Sequence, residues 1–520
     1  FSRNCAGFGA RRGPLMTWQW IFERSRGDFF LILPEAMLVF FGLAILLTDF
    51  LLTKRQKSWN ALTALLGVVF SGGSLYMLRA YASPPIGPVV GFFNSIMIDP
   101  FFIFFGFLFL ASTVLVILFS VRYMEIEEEQ HGEYYALMLF ATVGMMFLAC
   151  GDDLVVLFLA LETMALSFYV LSGFLRRERR SNEAAMKYML MGAFSSGILA
   201  YGFSILYGIA GSTNLEAILL AMRQRHAQYP GTDFLTFLAL GTVAAGVFFK
   251  IAAVPFHQWA PDVYEGAPTS ITAYVSVASK AASFALLLRL FLTIFLPVTL
   301  DWVTIMEWVG VLSLTLGTLA AITQTNIKRL LAYSSIAQVG YILLGFVASV
   351  NPDGTLHERG LQAMTFYLFV YAFFNTGAFA VVILLRRKGV IGDDVDDLNG
   401  LIHRSPGAAI LMLIFLLSLA GIPPTAGFVA KLLIFWALIE TKHTLLAVLG
   451  VLYILPAVYY YFRMVAAMWV RESSDPVMPV ISWAQKFALA AMVIVTLAAG
   501  IFPEQFLRLA TYSVLTTFGQ

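Results

Sequence analysis

Cysteine is nearly absent. Cys5 and Cys150 are the only two in 520 residues. That excludes a disulfide framework, a Cys-based metal site and an iron–sulfur cluster. Charge is scarce too, at 12% of residues where a soluble domain carries about a quarter. The net charge of +2 offers no basic surface for a nucleic-acid partner. There is no Gly-rich phosphate loop between a strand and a helix, and the six histidines are scattered. Any chemistry of NADH, flavin or clusters must therefore reside in other chains. What the sequence does have is apolar bulk: 60% hydrophobic residues and a mean hydropathy of +0.82, the composition of a membrane protein.

The stretch Phe1–Leu15 is rich in Arg and Gly and does not open on Met. Met16 is the expected start, and the upstream extension is set aside from the fold argument. A spanning helix needs roughly 20 mostly apolar residues. Such runs are expected at 29–53, 59–82, 98–121, 134–150, 151–175, 184–211, 233–265, 268–295, 302–323, 330–350, 360–386, 406–440, 444–470 and 482–503, about fourteen in all. The runs are continuous rather than alternating, so they read as helices and not as barrel strands. Only Gly151-Asp152-Asp153 separates the fourth run from the fifth.

Lys and Arg concentrate in the loops after odd-numbered helices. Arg176, Arg177, Arg179 and Arg180 lie there, as do Lys54, Arg55, Lys57, Arg122, Lys328, Arg329, Arg386, Arg387, Lys388, Arg404 and Arg471; the even-numbered loops carry Arg223, Arg225, Arg359 and Lys442. The odd loops are therefore expected in the cytoplasm and both termini in the periplasm of a bacterial inner-membrane protein. Arg24 and Arg26 sit on the side that this rule disfavours.

Two runs are too long for one helix. The run 233–265 is interrupted at Pro255, and the run 406–440 at Gly421-Ile422-Pro423-Pro424, since proline removes a backbone donor. The breaks fall in the seventh and twelfth helices. Each is the fourth member of a five-helix set, helices 4–8 and 9–13, and an odd number of crossings inverts the second set. Paired breaks at matching places in two halves are the sequence pointer to a transport site. The expected architecture is an all-α polytopic membrane protein with two inverted five-helix repeats and discontinuous helices 7 and 12. Its parts are 1–15, the extension; 16–133, three N-terminal helices; 134–295, the first repeat; 302–470, the inverted repeat; and 482–520, the fourteenth helix.

A charge at a helix centre costs roughly 2.5–3.5 kcal/mol on insertion scales, so intramembrane charges mark function by default. Four stand out: Glu162 in Leu-Ala-Leu-Glu-Thr-Met, Lys250 before the first break, Lys280 in the eighth helix and Lys431 past the second break. The plain alternative is a buried structural ion pair. Three lysines against one glutamate leave charge over, which suits a proton path better. Lysine, unlike arginine, gives up its proton readily when desolvated. Movement of Glu162 toward or away from Lys250 would switch the lysine between charged and neutral. Carrying one charge across about 150–200 mV takes roughly 3.5–4.6 kcal/mol, and a three-unit change in proton affinity is about 4 kcal/mol. Lys187 and His257 are further candidates. Lys187 follows an Arg-rich loop and has a bland reading as a side chain snorkelling to the interface. His257 has one as a cap for freed backbone groups. Arg289 and Arg463 read as anchors near helix ends, Glu125–Glu129 as a solvated loop face, and Phe101–Phe109 as lipid-facing or core filler.

Several motifs carry a family resemblance. They are Val254-Pro255-Phe256-His257-Gln258-Trp259-Ala260-Pro261-Asp262 with Gly266-Ala267-Pro268, Ala278-Ser279-Lys280, Asn326-Ile327-Lys328-Arg329-Leu330-Leu331-Ala332-Tyr333-Ser334-Ser335-Ile336, and Leu419-Ala420-Gly421-Ile422-Pro423-Pro424-Thr425-Ala426-Gly427-Phe428 before Lys431. Together they resemble the antiporter-like membrane subunits of respiratory complex I and the Mrp-type cation antiporters. Three features look like one branch of the bacterial NADH-quinone oxidoreductase subunits: Gly132-Glu133-Tyr134-Tyr135 at the start of helix four, Gln338 where many relatives carry His, and Lys431 where another branch has Glu. The loop Arg180–Tyr188 also fits. The resemblance implies a proton path through Glu162, Lys187, Lys250, Lys280 and Lys431. It also implies partners: other complex I membrane subunits, and a peripheral arm in which FMN, iron–sulfur clusters and quinone do the redox chemistry. This chain itself would hold no cofactor and no metal. A subunit of an Mrp-type antiporter or a membrane-bound hydrogenase is the alternative with the same fold.

Overall fold

The computed structural model describes residues 27–518 apart from 54–55, 81, 83–86, 230–232, 387–391 and 473–480. The expectations for 1–15 and Met16, and for Arg24, Arg26, Lys54, Arg55, Arg387 and Lys388, lie outside the described residues.

The first six crossings are α1 (Leu33–Thr48), α2 (Trp59–Arg79), α3 (Pro100–Glu127), α4 (Gly132–Cys150), α5 (Leu154–Ser172) and α6 (Arg179–Ala210). After a short α7 (Leu215–Gln228), the seventh crossing is split into α8 (Phe234–Ile251) and α9 (Trp259–Gly266). The eighth joins α10 (Thr269–Tyr274) to α11 (Lys280–Thr293) through a π-helical turn, Val275–Ser279. There follow α12 (Thr299–Ile322), α13 (Ile327–Val347), α14 (Glu358–Leu385) and a single turn, α15 (Leu401–Arg404). The twelfth crossing is split into α16 (Pro406–Ala420) and α17 (Ala426–Glu440), and the thirteenth is α18 (Thr444–Leu452) with α19 (Ile454–Trp469). The chain closes with α20 (Trp483–Ile501) and α21 (Pro503–Phe518).

Among the described residues, 13 helical segments are long and apolar enough to cross a bilayer. The expected fourteenth is the broken pair α16–α17. Each half has 15 residues, about 22 Å of helix, against a core of roughly 30 Å. Only the pair together crosses. Short polar caps set the starts. Asp99 accepts the Phe102 N–H at 2.8 Å with Pro100 in the first turn of α3, Asp153 accepts the Val155 N–H at 2.8 Å, and Asn326 accepts the Arg329 N–H at 3.0 Å. The polar patch at 151–153 is thus a true boundary, with Asp153 as the cap of α5.

Loop contacts sort into two faces. Arg386 at the end of α14 pairs with Glu127 and Glu178, and Asn326 bridges to Asp394; all of these lie at odd-numbered loops. Asp153 bridges to Asn214, and Arg359 pairs with Glu440, at even-numbered loops. The alternation holds across the fourteen crossings. We call these the odd face and the even face.

The two five-helix sets share local geometry. At the start of the second member, the Leu154 N–H reaches Thr213 O at 2.9 Å and the Leu215 N–H returns to Asp152 O at 3.1 Å. In the other set, the Ile327 N–H reaches Asp393 O at 2.6 Å and the Val395 N–H returns to Thr325 O at 2.9 Å. An arginine of the fifth member caps the end of the first in both. Arg289 donates to Ala149 O at 3.0 and 2.8 Å, and Arg463 donates to Ile322 O at 2.7 Å and to Gln324 O. These carbonyls lack an intrahelical donor. The expectation that Arg289 is an anchor near a helix end is corrected here. Arg289 is 2% exposed and pairs with Asp99 at 2.7 Å, so it clamps two helix ends inside the protein.

Two other expectations change. Glu127 is not a solvated loop charge, because Arg386 holds it in a bidentate pair. Lys328 is 4% exposed and paired with Asp393 at 3.2 Å, although it was counted among loop charges. Of the two readings of the Phe-rich stretch, core filler holds: Phe101, Phe102, Phe105 and Phe109 are all buried. Crossing α10–α11 is entirely buried and α13 and α14 are 94% buried, so these three make the centre of the bundle.

Candidate functional site

The first break opens where α8 ends, four residues earlier than Pro255. Ala252 takes a left-handed conformation at φ 58°. The freed groups find side chains: Ser313 Oγ accepts the Val254 N–H at 3.0 Å, and the Trp259 indole donates to Phe249 O at 2.9 Å. Lys250, in the last turn of α8, is 3% exposed. Its ammonium donates to the Tyr169 hydroxyl at 3.4 Å and lies 5.8 Å from the centre of that ring.

Glu162 and Tyr169 are seven residues apart on α5 and so share a face. The Glu162 carboxylate is within electrostatic reach of Lys250. The two do not pair directly, and Glu162 Oε1 is buried with no hydrogen-bond partner. The expected Glu162–Lys250 contact is thus replaced by a Tyr169 contact with the glutamate standing off.

From Tyr169 the polar line continues inward. Its ring meets Tyr188 at 4.8 Å, and Tyr188 stacks on Trp259 at 4.5 Å. The Tyr188 hydroxyl is hydrogen-bonded to Ser279, the residue before Lys280. Lys280 is 2% exposed at the end of the π turn. Its ammonium donates to Ser335 Oγ on α13, and Ser335 bonds the Tyr371 hydroxyl at 2.7 Å.

One turn along α13, Gln338 donates to Tyr461 at 3.2 Å and to Leu419 O at 3.0 Å, while Tyr367 donates to its Oε1 and Tyr461 bonds Ser334. Leu419 O also accepts from Lys431. Lys431 is 2% exposed, donates to Leu419 O at 2.9 Å and Ala420 O at 3.1 Å, and lies 4.5 Å from the centre of the Tyr341 ring. These are the carbonyls that the second break frees at the end of α16. Gly421 makes the seat possible. It sits at φ 83°, and a Cβ there would lie 2.8 Å from Lys431 Cδ.

The three lysines therefore lie in one buried line, joined by hydroxyls, an amide and two helix ends. Among the described residues, none has a carboxylate within ion-pair distance. Lys187 is placed elsewhere. It stands in a charged cleft of about 260 Å³ on the odd face, with Arg180, Glu183, Asp262, Glu265 and Arg329. It pairs with Glu183 and Asp262 at 2.8 Å each, and Arg329 binds Asp262 and Glu265 at 2.8 Å each. This is more than snorkelling, because the cleft sits over α9, the half-helix that leaves the first break. His257 lies in that break, half-buried, with its ring hydrogen-bonded to the Pro255 backbone, beside the freed groups that Ser313 and Trp259 satisfy. Among the described residues no group of His, Cys, Asp or Glu is placed to hold a metal ion.

Sequence reading found the lysines and missed their connectors, Tyr169, Tyr188, Ser335, Tyr371 and Tyr461. One signal was available. Ser334, Gln338 and Tyr341 recur on one face of an otherwise apolar helix.

Fourteen crossings with two broken helices and a buried row of lysines define an antiporter-like membrane subunit. Residues 151–455 match the transmembrane family described as NADH:quinone oxidoreductase/Mrp antiporter. The chain is 53% identical over 491 residues to NADH-quinone oxidoreductase subunit N 2 of Solibacter usitatus, covering 94% of this chain and 97% of that one. It is 51% identical to subunit N 1 of Koribacter versatilis over 494 residues, with 94% and 96% covered. A chain of respiratory complex I from Thermus thermophilus with bound aureothin superposes with a TM-score of 0.75 at 31% identity, over 92% of this chain and 99% of that one. The chain belongs to the NADH-quinone oxidoreductase subunit N family.

Proposed function

We propose that this chain is a proton-translocating membrane subunit of an NADH-quinone oxidoreductase, in which electron transfer elsewhere drives protons along the buried line from Lys250 through Lys280 to Lys431. The observation that carries the reading is the burial of three lysines in series without carboxylate partners. A static ion pair needs a partner to offset desolvation; a proton carrier needs a group that can lose its charge. The helix breaks supply carbonyls and amides to water and ammonium groups alike. Glu162 modulates Lys250 by approaching and withdrawing, and the Lys187 cleft is the mouth on the odd face.

The matching bridges and arginine caps support helices 4–8 and 9–13 as inverted repeats, divided at 134–295 and 302–470. The odd face is cytoplasmic and both termini lie on the periplasmic side of a bacterial inner membrane, as the Lys and Arg distribution favours. The chain works as part of a translocase and carries no redox centre. FMN, iron–sulfur clusters and quinone belong to its partners, which include other membrane subunits and a peripheral arm. The test is purification of the intact assembly. The chain should copurify with hydrophobic subunits and with flavin and iron–sulfur proteins, and alone it should oxidise no NADH. NADH oxidation by the isolated chain, or copurification with Mrp-type subunits instead, would overturn the assignment.

A further inference from the structure

A group of buried acids lies toward the even face, away from the Lys187 cleft. Glu35, in the first turn of α1, is 2% exposed, and neither carboxylate oxygen has a hydrogen-bond partner among the described residues. Proteins rarely leave a buried polar group unmatched unless it serves a purpose.

Its surroundings include other buried polar groups. Antiparallel α1 and α2 keep one register: Gly67 packs on Phe41, and Phe41 stacks on Phe70 at 5.6 Å. That register puts Glu35 level with residues 73–76, Ser74 among them. Ser71 Oγ is also buried without a partner. From α4, which also packs on α1, Cys150 lies within electrostatic reach of Glu35, Arg289 and Asp99. Arg289 holds Asp99 at 2.7 Å. Asp152, at the turn between α4 and α5, feels both of those and Glu216, and accepts from Asn214 at 3.2 Å. Asp28, before α1, is tied to the Phe92 N–H at 3.1 Å. Arg289 lies nine residues beyond Lys280 on α11, about 13.5 Å along the helix. The middle of the lysine line, at Lys280, and this acid group are thus linked by a single buried helix.

We propose that Glu35 is a proton-exchange site between the lysine line and the even face, with the Asp99–Arg289 pair and Asp152 as its outward neighbours. The inference rests on the proton-translocation reading above. Each cycle breaks one O–H bond as the carboxyl proton leaves outward to water or to the Asp152 carboxylate, and forms one as a proton arrives from the lysine side. Burial pushes the Asp152 carboxyl up to about 6, against the pull of Arg289, so that group can hold a proton close to neutral pH.

The test uses the whole complex in sealed vesicles. Protons pumped per electron are measured for the unmodified complex, Glu35→Gln, Glu35→Asp and, as a reference, Lys250→Ala. Infrared difference spectra are recorded for a pH jump applied on the even face. Glu35→Gln should lower the ratio with electron transfer intact, Glu35→Asp should retain most of it, and a carboxylic-acid carbonyl band should be lost in Gln and shifted in Asp. A merely structural role would not move that band with even-face pH. Full pumping by Glu35→Gln alongside a defective Lys250→Ala overturns the Glu35 inference alone. Full pumping by both overturns the reading beneath it. If Glu35→Gln does not assemble, the band in the unmodified and Asp complexes decides: its absence overturns the proposal.

Discussion

Replacing Gly421 with alanine strikes the second break at its narrowest point. The residue sits at φ 83°, and the new Cβ would come within 2.8 Å of Lys431 Cδ. The left-handed conformation costs an L-residue roughly 1–2 kcal/mol. The methyl group also pushes Lys431 off its seat, where it donates to Leu419 O at 2.9 Å and Ala420 O at 3.1 Å. A hydrogen bond involving a charged group contributes about 1.5–3 kcal/mol. Loss of one of the two brings the total to about 2.5–5 kcal/mol. Gly407, in the first turn of α16, is the control. Nothing lies within 4 Å of its would-be Cβ and its φ is not positive, so alanine there is neutral or stabilising by up to ~1 kcal/mol. Thermal unfolding of the purified complex and protons pumped per electron are the assays. Gly421→Ala should be destabilised and pump poorly, and Gly407→Ala should match the unmodified complex. Equal behaviour of the two variants would refute the account of the Lys431 seat.

Arg289→Ala leaves Asp99 buried without its partner and should cost about 3–5 kcal/mol, whereas Arg463→Ala removes donors to carbonyls only and should cost about 1–3 kcal/mol; denaturation of the complex ranks them, and the reverse order would contradict the clamp. The buried Asp152 carboxyl is raised to about 6 by burial, with Arg289 opposing, so its contribution to stability is present in acid and is lost as pH rises through that value. Asp152→Asn should therefore stabilise the complex above pH 6 and change little at pH 4, and a variant with the opposite pH trend would defeat the argument. An accessibility tag in the loop 176–183 should label from the cytoplasm and one at the C-terminus from the periplasm; a cytoplasmic C-terminus would break the fourteen-helix count.

The bundle was legible because a bilayer leaves few choices. An apolar run of sufficient length must be a helix, and a lysine within one needs a reason. Lys250, Lys280 and Lys431 were visible on that ground alone, as were both breaks. Three kinds of feature were not. Partners distant in sequence were hidden: Lys250 meets Tyr169 across 81 positions, and Arg289 reaches Ala149 across 140. Arg289 looked like an interfacial anchor because hydropathy shows that a charge is near a helix end but not that Asp99 waits there. Elements that do not cross were missed too, namely α7, α21 and the hairpin of Val89–Gly91 with Ile96–Ile98. A search for spans has no signal for them. The position of the first break was displaced because the helix stops at Ile251, where Ala252 turns left-handed, before proline can end it.

Lys250 tests the central claim most directly. Arginine keeps the positive charge and offers more donors than lysine but does not release its proton. Protons pumped per electron should be measured in sealed vesicles for complexes carrying Lys250→Ala and Lys250→Arg, with assembly verified for each. If Lys250 must give up its proton, the Arg variant should fail as badly as the Ala variant while electron transfer continues. Full pumping by the Arg variant would contradict the relay and leave a fixed charge as the role of Lys250.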